Sequence, residues 1–345
     1  MFDIGRRQSI FRTIRKQLLG LVAILSLIVT SMPVVAEPAM DVLGRDYTFP
    51  NRIEGLPAQL SDFAGLEINA FVTSDGVRLA YWAAGQGRPL IFVPGWSANG
   101  AEFVNVMYLL SRHYRVYVLD PRNQGLSQRV DYGSRISRFA VDLREFGDHL
   151  GLDSADYVGW SMGASVLWSY IDLFGTGRIR RLAIIDEPIS IYSHADWSEQ
   201  ERLEAGGMTT SPERMIAAFT QGAPANSLIV DMSAVERAMA MDAPAYVNST
   251  SFSRAFIQND PVAMGRVLFD HITNDWRDVV RHRIKVPTVI FTGELSRNLP
   301  SQRWMHSVIP GSTLHVYSAA EQGDHFLAFK NPERFTTDLR AFLDR

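Results

Sequence analysis

The stretch Gly159-Trp160-Ser161-Met162-Gly163 constrains this chain more than any other. Tyr157-Val158 end an apolar run of strand character before it. After it, Ala164, Leu167, Ile171 and Phe174 recur at helical spacing until Gly175. A serine between strand and helix, with glycines two residues to either side, marks a turn in which larger side chains would collide with one element or the other. Such a turn presents the Ser161 hydroxyl at the carboxyl end of a sheet, beside helix-terminal N–H groups that hold developing negative charge. A G-x-S-x-G arises readily by chance in a chain with 25 glycines, so its meaning rests on what stands upstream and downstream.

Upstream, residues 68–73 and 77–83 read as a β-hairpin around Ser74-Asp75-Gly76. Residues 90–93 form a short, wholly apolar strand that runs into Pro94-Gly95-Trp96-Ser97, where the turn leaves the Trp96 N–H free to point into a site. Residues 102–110 read as a helix and 115–119 as a buried strand. That strand ends in Asp120-Pro121-Arg122-Asn123-Gln124-Gly125-Leu126-Ser127, a polar loop that shapes the ligand-binding edge rather than reacting. A helix over 139–150 leads to the Ser161 strand, and residues 181–185 are again bare apolar strand closing on Asp186-Glu187-Pro188. Downstream, 287–291 and 313–316 read as strands, 302–308 and 335–343 as helices. Strands alternating with helices predict a parallel sheet with right-handed crossovers. His325 follows the last strand in Glu321-Gln322-Gly323-Asp324-His325-Phe326, where it can fold back over the sheet edge toward Ser161 as general base.

Between the two halves, residues 189–285 change to helical segments broken by Gly and Pro, with Ser211-Pro212-Glu213, Gly222-Ala223-Pro224 and Asp260-Pro261 as punctuation. This stretch reads as an inserted cap. It holds Met208, Met215, Met232, Met239, Met241 and Met264 with Trp197, Trp276, Phe252, Phe256 and Tyr246, which together suggest an apolar pocket between cap and sheet. The amino-terminal part divides as well. Arg6, Arg7, Arg12, Arg15 and Lys16 precede an apolar run and Pro33-Val34-Val35-Ala36, the pattern of a signal peptide over residues 1–36; a retained membrane anchor is the alternative. Residues 37–66, rich in Pro, Gly and short polar side chains, suit a strap over the surface. The expected organisation is therefore leader 1–36, strap 37–66, core 67–188, cap 189–285 and core 286–345.

Charge and residue usage exclude several functions. Residues 1–36 hold five basic and one acidic residue, so from totals of 34 and 37 the remainder carries 29 basic against 36 acidic, net −7. Nucleic acid is not an expected partner. With no cysteine, thiol catalysis and thiolate metal sites are ruled out. Histidines 113, 149, 194, 271, 282, 306 and 315 show no paired ligand spacing and read as surface or packing residues, so no metal site is expected. No phosphate-cradling glycine loop or dinucleotide fingerprint appears, and no cofactor is inferred.

From about residue 70 to 345, apart from the cap, the chain resembles the α/β-hydrolase fold superfamily. The stretch Leu119–Ser127, with Trp168-Ser169-Tyr170, resembles its cofactor-free haloperoxidase and esterase branch. The resemblance implies a mostly parallel eight-stranded sheet with helices on both faces and a helical cap inserted after the sixth strand. It implies Ser161 as nucleophile, His325 as base, and the N–H groups of Met162 and Trp96 as oxyanion hole. Family members often have His-Gly where this chain has Pro94-Gly95, a change that leaves a backbone donor in place. The acid departs from the pattern. Many relatives place Asp three residues beyond the glycine that ends the seventh strand, but that position here is Ser296. A second group, some haloalkane dehalogenases among them, carries the acid after the preceding strand, which matches Asp186. Glu294 and Glu187 are the alternatives, and alternation of side chains keeps Asp186 and Glu187 from both facing His325 in a regular strand.

The expected function is an exported, periplasmic or secreted serine hydrolase cleaving small apolar esters or lactones, without stable membrane insertion once the leader is removed. A cofactor-free perhydrolase and a catalytically silent ligand-binding homologue are the competing readings. The nucleophile and base that a silent homologue usually lacks are both in place.

Overall fold

Alternation along the apolar strands sorts their side chains onto two faces, and the sorting is visible residue by residue. In Pro89–Val93, Leu90 and Phe92 join one core cluster and Ile91 and Val93 the other; in Ala155–Trp160, Tyr157 and Val158 divide the same way. A strand buried on both faces needs helices on both, and that is the architecture found in the computed structural model, which describes residues 37–194, 196–205 and 243–345.

Eight strands among these residues form one sheet: β1 (Leu66–Val72), β2 (Arg78–Ala84), β3 (Pro89–Val93), β4 (Arg115–Leu119), β5 (Ala155–Trp160), β6 (Ile179–Ile185), β7 (Thr288–Gly293) and β8 (Thr313–Tyr317). Their order is β1-β2-β4-β3-β5-β6-β7-β8. The β1–β2 and β2–β4 pairs are antiparallel and the other five parallel. Helices α1 (Val104–Leu110) and α7 (Pro332–Leu343) contribute to the cluster on one face, and α2 (Ile136–His149), α3 (Met162–Phe174) and α6 (Leu299–Val308) to the cluster on the other. Boundaries differ from the sequence reading mainly at helix starts. Helix α2 begins at Ile136 rather than 139, and α7 at Pro332 rather than 335, where Pro occupies the first turn and Asn331 accepts from the Arg334 N–H.

The stretch expected to form a cap lies between β6 and β7. Its described helices include α4 (Pro244–Phe256) and α5 (Pro261–Ile272), the latter capped by the Asp260 carboxylate. The leader assigned to 1–36, the breaks at Ser211–Glu213 and Gly222–Pro224, and Met208, Met215, Met232, Met239 and Met241 lie outside the described residues. No helix among the described residues is long and apolar enough to cross a membrane.

Two anchors make the carboxyl edge of the sheet rigid. Asp120, at the end of β4, is fully buried and accepts hydrogen bonds from the Gly100 N–H (2.7 Å), the Leu126 N–H (2.8 Å) and the Trp82 indole (3.2 Å). Burial pushes its carboxyl up to about 6 against those donors. Arg122, also fully buried, is forked between Asp142 on α2 and Asp75 in the β1–β2 turn. The polar loop 120–127 thus holds the edge in shape. The strap reaches further than a surface covering: Tyr47 and Phe49 pack on Phe252, and Asn51 exchanges hydrogen bonds with Asn248, both on α4.

Candidate active site

Ser161 sits at the junction of β5 and α3 with φ +53° and ψ −132°, a conformation that side-chain-bearing residues rarely adopt. The junction over-determines it. The Ser161 N–H donates to the Ile185 carbonyl (3.0 Å) and the Ala164 N–H to the Ser161 carbonyl (2.7 Å). A Cβ at Gly159 would meet the Ala164 backbone at 2.7 Å, and one at Gly163 would overlap the Val93 carbonyl. The two glycines are therefore required by close approach of helix to strand, as the motif's spacing implies.

His325, between β8 and α7, reaches Ser161 across the sheet edge. Its Nε2 lies 3.0 Å from the Ser161 hydroxyl, which donates to it, and its Nδ1–H donates to the Asp186 carboxylate at 2.7 Å. The ring packs against Trp160, whose indole N–H donates to the His325 carbonyl at 2.9 Å, so the residue before the serine also holds the histidine. Asp186 follows β6 with φ +49° and is fully buried. Besides His325 it accepts from the hydroxyls of Thr292 (2.5 Å) and Ser296 (2.7 Å) and from the Asn298 amide (3.1 Å). Four donors aimed at two oxygens suit only an ionised carboxylate. Burial raises the Asp186 pKa, but the bonds and charge of His325 and the hydroxyl donors outweigh it and hold the group below its ordinary value. For His325, burial favours the neutral ring, whereas its bond to Asp186 and the nearby charges of Asp186, Glu187 and Asp324 favour the charged one; the balance lies above the ordinary histidine value.

Ser296, the position at which the family resemblance leads one to expect an aspartate, turns its hydroxyl to the carboxylate of Asp186 instead. The two alternative acids go elsewhere. Glu294 is exposed, one residue past the end of β7, and accepts from the Ala319 N–H at 3.0 Å. Glu187 is buried and pairs elsewhere: its Oε1 accepts from the Ser165 hydroxyl at 3.3 Å and lies 3.1 Å from Nε2 of His271 on α5. His271 is accordingly neither a surface residue nor simple packing, because it ties α5 to the core.

Met162 opens α3, where its N–H has no carbonyl one turn earlier in the helix to bond. The Pro94–Ser97 turn lies against the serine: a Cβ on Gly95 would stand 3.0 Å from the Ser161 Cβ. The Trp96 indole donates to the Met264 carbonyl on α5 at 2.9 Å. Ser161 and His325 open into a cavity of about 340 Å³ between sheet edge and insertion. Its walls, expected to be apolar, carry polar side chains as well. Trp96, Tyr246 and Phe326 supply apolar area, but Asn99, Glu102 and Arg254 also line it. Trp197 and Met264 are instead buried in the core cluster that α3 joins, with Trp276 packed against it, while Phe252 and Phe256 face the strap. The outward or inward facing of each cap side chain depends on helix placement, which composition does not report.

A family model described as alpha/beta hydrolase fold matches residues 88–330. A non-heme chloroperoxidase of Kitasatospora aureofaciens is 27% identical over 288 residues, covering 79% of this chain and 98% of that protein. A non-heme haloperoxidase of Rhodococcus erythropolis is 34% identical over 117 residues; the match spans 33% of this chain and less than half, 43%, of that relative. Among solved structures, an esterase from Exiguobacterium antarcticum superposes with a TM-score of 0.63 at 20% identity, covering 80% of this chain and 99% of the other, a likeness of fold.

Proposed function

The chain belongs to the α/β-hydrolase fold family, and from that premise we propose that it is a serine hydrolase of carboxylic esters, lactones included. The observation that carries this reading is the relay from the Ser161 hydroxyl through His325 to Asp186, at 3.0 and 2.7 Å, opening on a cavity. His325 takes the Ser161 proton as Oγ attacks the ester carbonyl. Asp186 keeps the imidazole in the tautomer with its lone pair toward the serine and stabilises the imidazolium that forms. The N–H groups of Met162 and Trp96 receive the tetrahedral oxyanion, each donor worth about 3 kcal/mol of barrier. The imidazolium returns its proton to the departing alcohol, and water then repeats the sequence on the acyl-enzyme. A serine nucleophile sets this chemistry apart from relatives that form an alkyl ester on aspartate. Export after removal of residues 1–36 is part of the proposal, and the amino-terminal sequence of the protein recovered from the producing cell tests it.

Hydrolysis of chromogenic acyl esters of increasing chain length, with Ser161→Ala alongside, tests the reaction. Turnover by wild type that falls by a factor on the order of 10⁴ in the variant supports it. The same assay with acetate and hydrogen peroxide addresses perhydrolysis, the reading favoured by the full-length chloroperoxidase relative. Peracid formation without ester turnover would replace the hydrolase proposal.

A further inference from the structure

The turn that carries Trp96 is bolted to the insertion by one amide. Asn259 lies between α4 and α5 and lines the cavity. Its Nδ2 donates to the Ser97 carbonyl at 2.5 Å and to the Ser97 hydroxyl at 3.0 Å, while its Oδ1 accepts from the Gly125 N–H at 2.9 Å. One side chain therefore ties together the end of β3 and the end of β4. Ser97 has φ +61°, one of five non-glycine residues in the left-handed region among the described residues; Ser161 and Asp186 are two of the others. A residue held there needs its surroundings to hold it, and Asn259 grips both polar groups of Ser97 beyond its N–H. Trp96 is fixed from the other side as well, by the bond from its indole to Met264 at the start of α5.

We propose that Asn259 is a positioning residue for the oxyanion hole: by clamping Ser97 it aims the adjacent Trp96 N–H at the site where the oxyanion forms beside Ser161. Rotation of the Ser97 backbone back to an ordinary φ would turn the peptide planes that follow Gly95, and a donor gains its effect only when already aligned with the charge as it develops. The insertion is then part of the catalytic apparatus as well as a wall of the pocket, because its linker sets the geometry of a core loop. This inference rests on the serine-hydrolase reading.

The test uses Asn259→Ala and Asn259→Asp, the second keeping an acceptor for Gly125 while removing both donors to Ser97. For each, kcat and KM are measured on an acyl ester, together with the affinity of a trifluoromethyl ketone, which forms a tetrahedral oxyanion adduct on the serine. The expected result is a loss of kcat of about 10- to 100-fold, an equal loss of ketone affinity, and KM within about two-fold of wild type. A KM that rises with kcat unchanged, or a kcat loss without loss of ketone affinity, would overturn the proposal and leave Asn259 a structural bolt. Should the alanine variant not fold, the aspartate variant carries the test alone. Wild type that neither turns over esters nor binds the ketone refutes the hydrolase reading; wild type that does both, with variants that match it, refutes only the role of Asn259.

Discussion

Two clusters of serine, carboxylate and histidine grow from consecutive residues at the end of β6, and their difference shows what the proposed triad has that the other cluster lacks. Asp186 joins His325 and Ser161; Glu187 joins His271 and Ser165. In the first the imidazole is in the middle, so a lone pair faces the serine and the carboxylate stands behind. In the second the carboxylate is in the middle, and the Ser165 hydroxyl and His271 Nε2 both approach the same oxygen. That order offers Ser165 no base strong enough to prepare it for attack. Access differs too. The His325 side chain is 30% exposed toward the cavity, whereas His271 is 4% exposed and Glu187 2%. Residue types alone do not distinguish the clusters; contact order and an open face do.

Substitutions at paired positions sharpen the contrast. Of the two carboxylates the larger effect is expected at Asp186, where Asp186→Asn should lower kcat/KM by a factor on the order of 10³–10⁴ by losing the tautomer and the countercharge. Glu187→Gln should keep kcat/KM within about ten-fold and instead lower stability by about 1–3 kcal/mol, read in denaturant unfolding, because the amide replaces a carboxylate buried against Ser165 and His271. Equal catalytic losses in the two variants would erase the distinction.

The pH profile gives a finer reading. The proposed mechanism needs neutral His325, whose pKa is raised by Asp186 and the charges around it, so kcat/KM should be lost as pH falls through a value above the ordinary histidine range. Asp186→Asn should move that limb downward, and Glu187→Gln should move it in the same direction by less, since Glu187 acts on His325 only through its charge. A limb unmoved by Asp186→Asn would separate the titration from the triad. The smallest effect is expected at Ser165→Ala. It should cost less than about 1.5 kcal/mol of stability and leave kcat within two-fold, in contrast to the loss expected of Ser161→Ala.

Much of this arrangement was legible before the fold was known, because it is written in local terms. The glycine spacing around Ser161 reflects a collision between adjacent elements, so it had to appear in sequence. Apolar strands with polar ends placed Asp186, His325 and Trp96 at one sheet edge. The choice among Asp186, Glu187 and Glu294 was narrowed by position after β6, but periodicity could not complete it. Asp186 leaves the regular strand with a positive φ, and its partners Thr292, Ser296 and Asn298 lie more than a hundred residues away. Ser296 is instructive: in sequence it reads as a missing carboxylate, whereas in the fold its hydroxyl donates to the carboxylate of Asp186.

Order along the chain and the period of apolar residues thus determined the sheet, its crossovers, and which residues gather at its carboxyl edge, since these follow from interactions within one or two elements. Only the tertiary structure decided which carboxylate meets His325, that Glu187 closes on His271, that the cavity mixes polar with apolar walls, and that Asn259 grips Ser97. Each of these is a contact between side chains far apart in sequence. Such contacts depend on the angles at which helices settle on the sheet and on burial that makes every polar group find a partner, and neither quantity has a signature in a single local stretch.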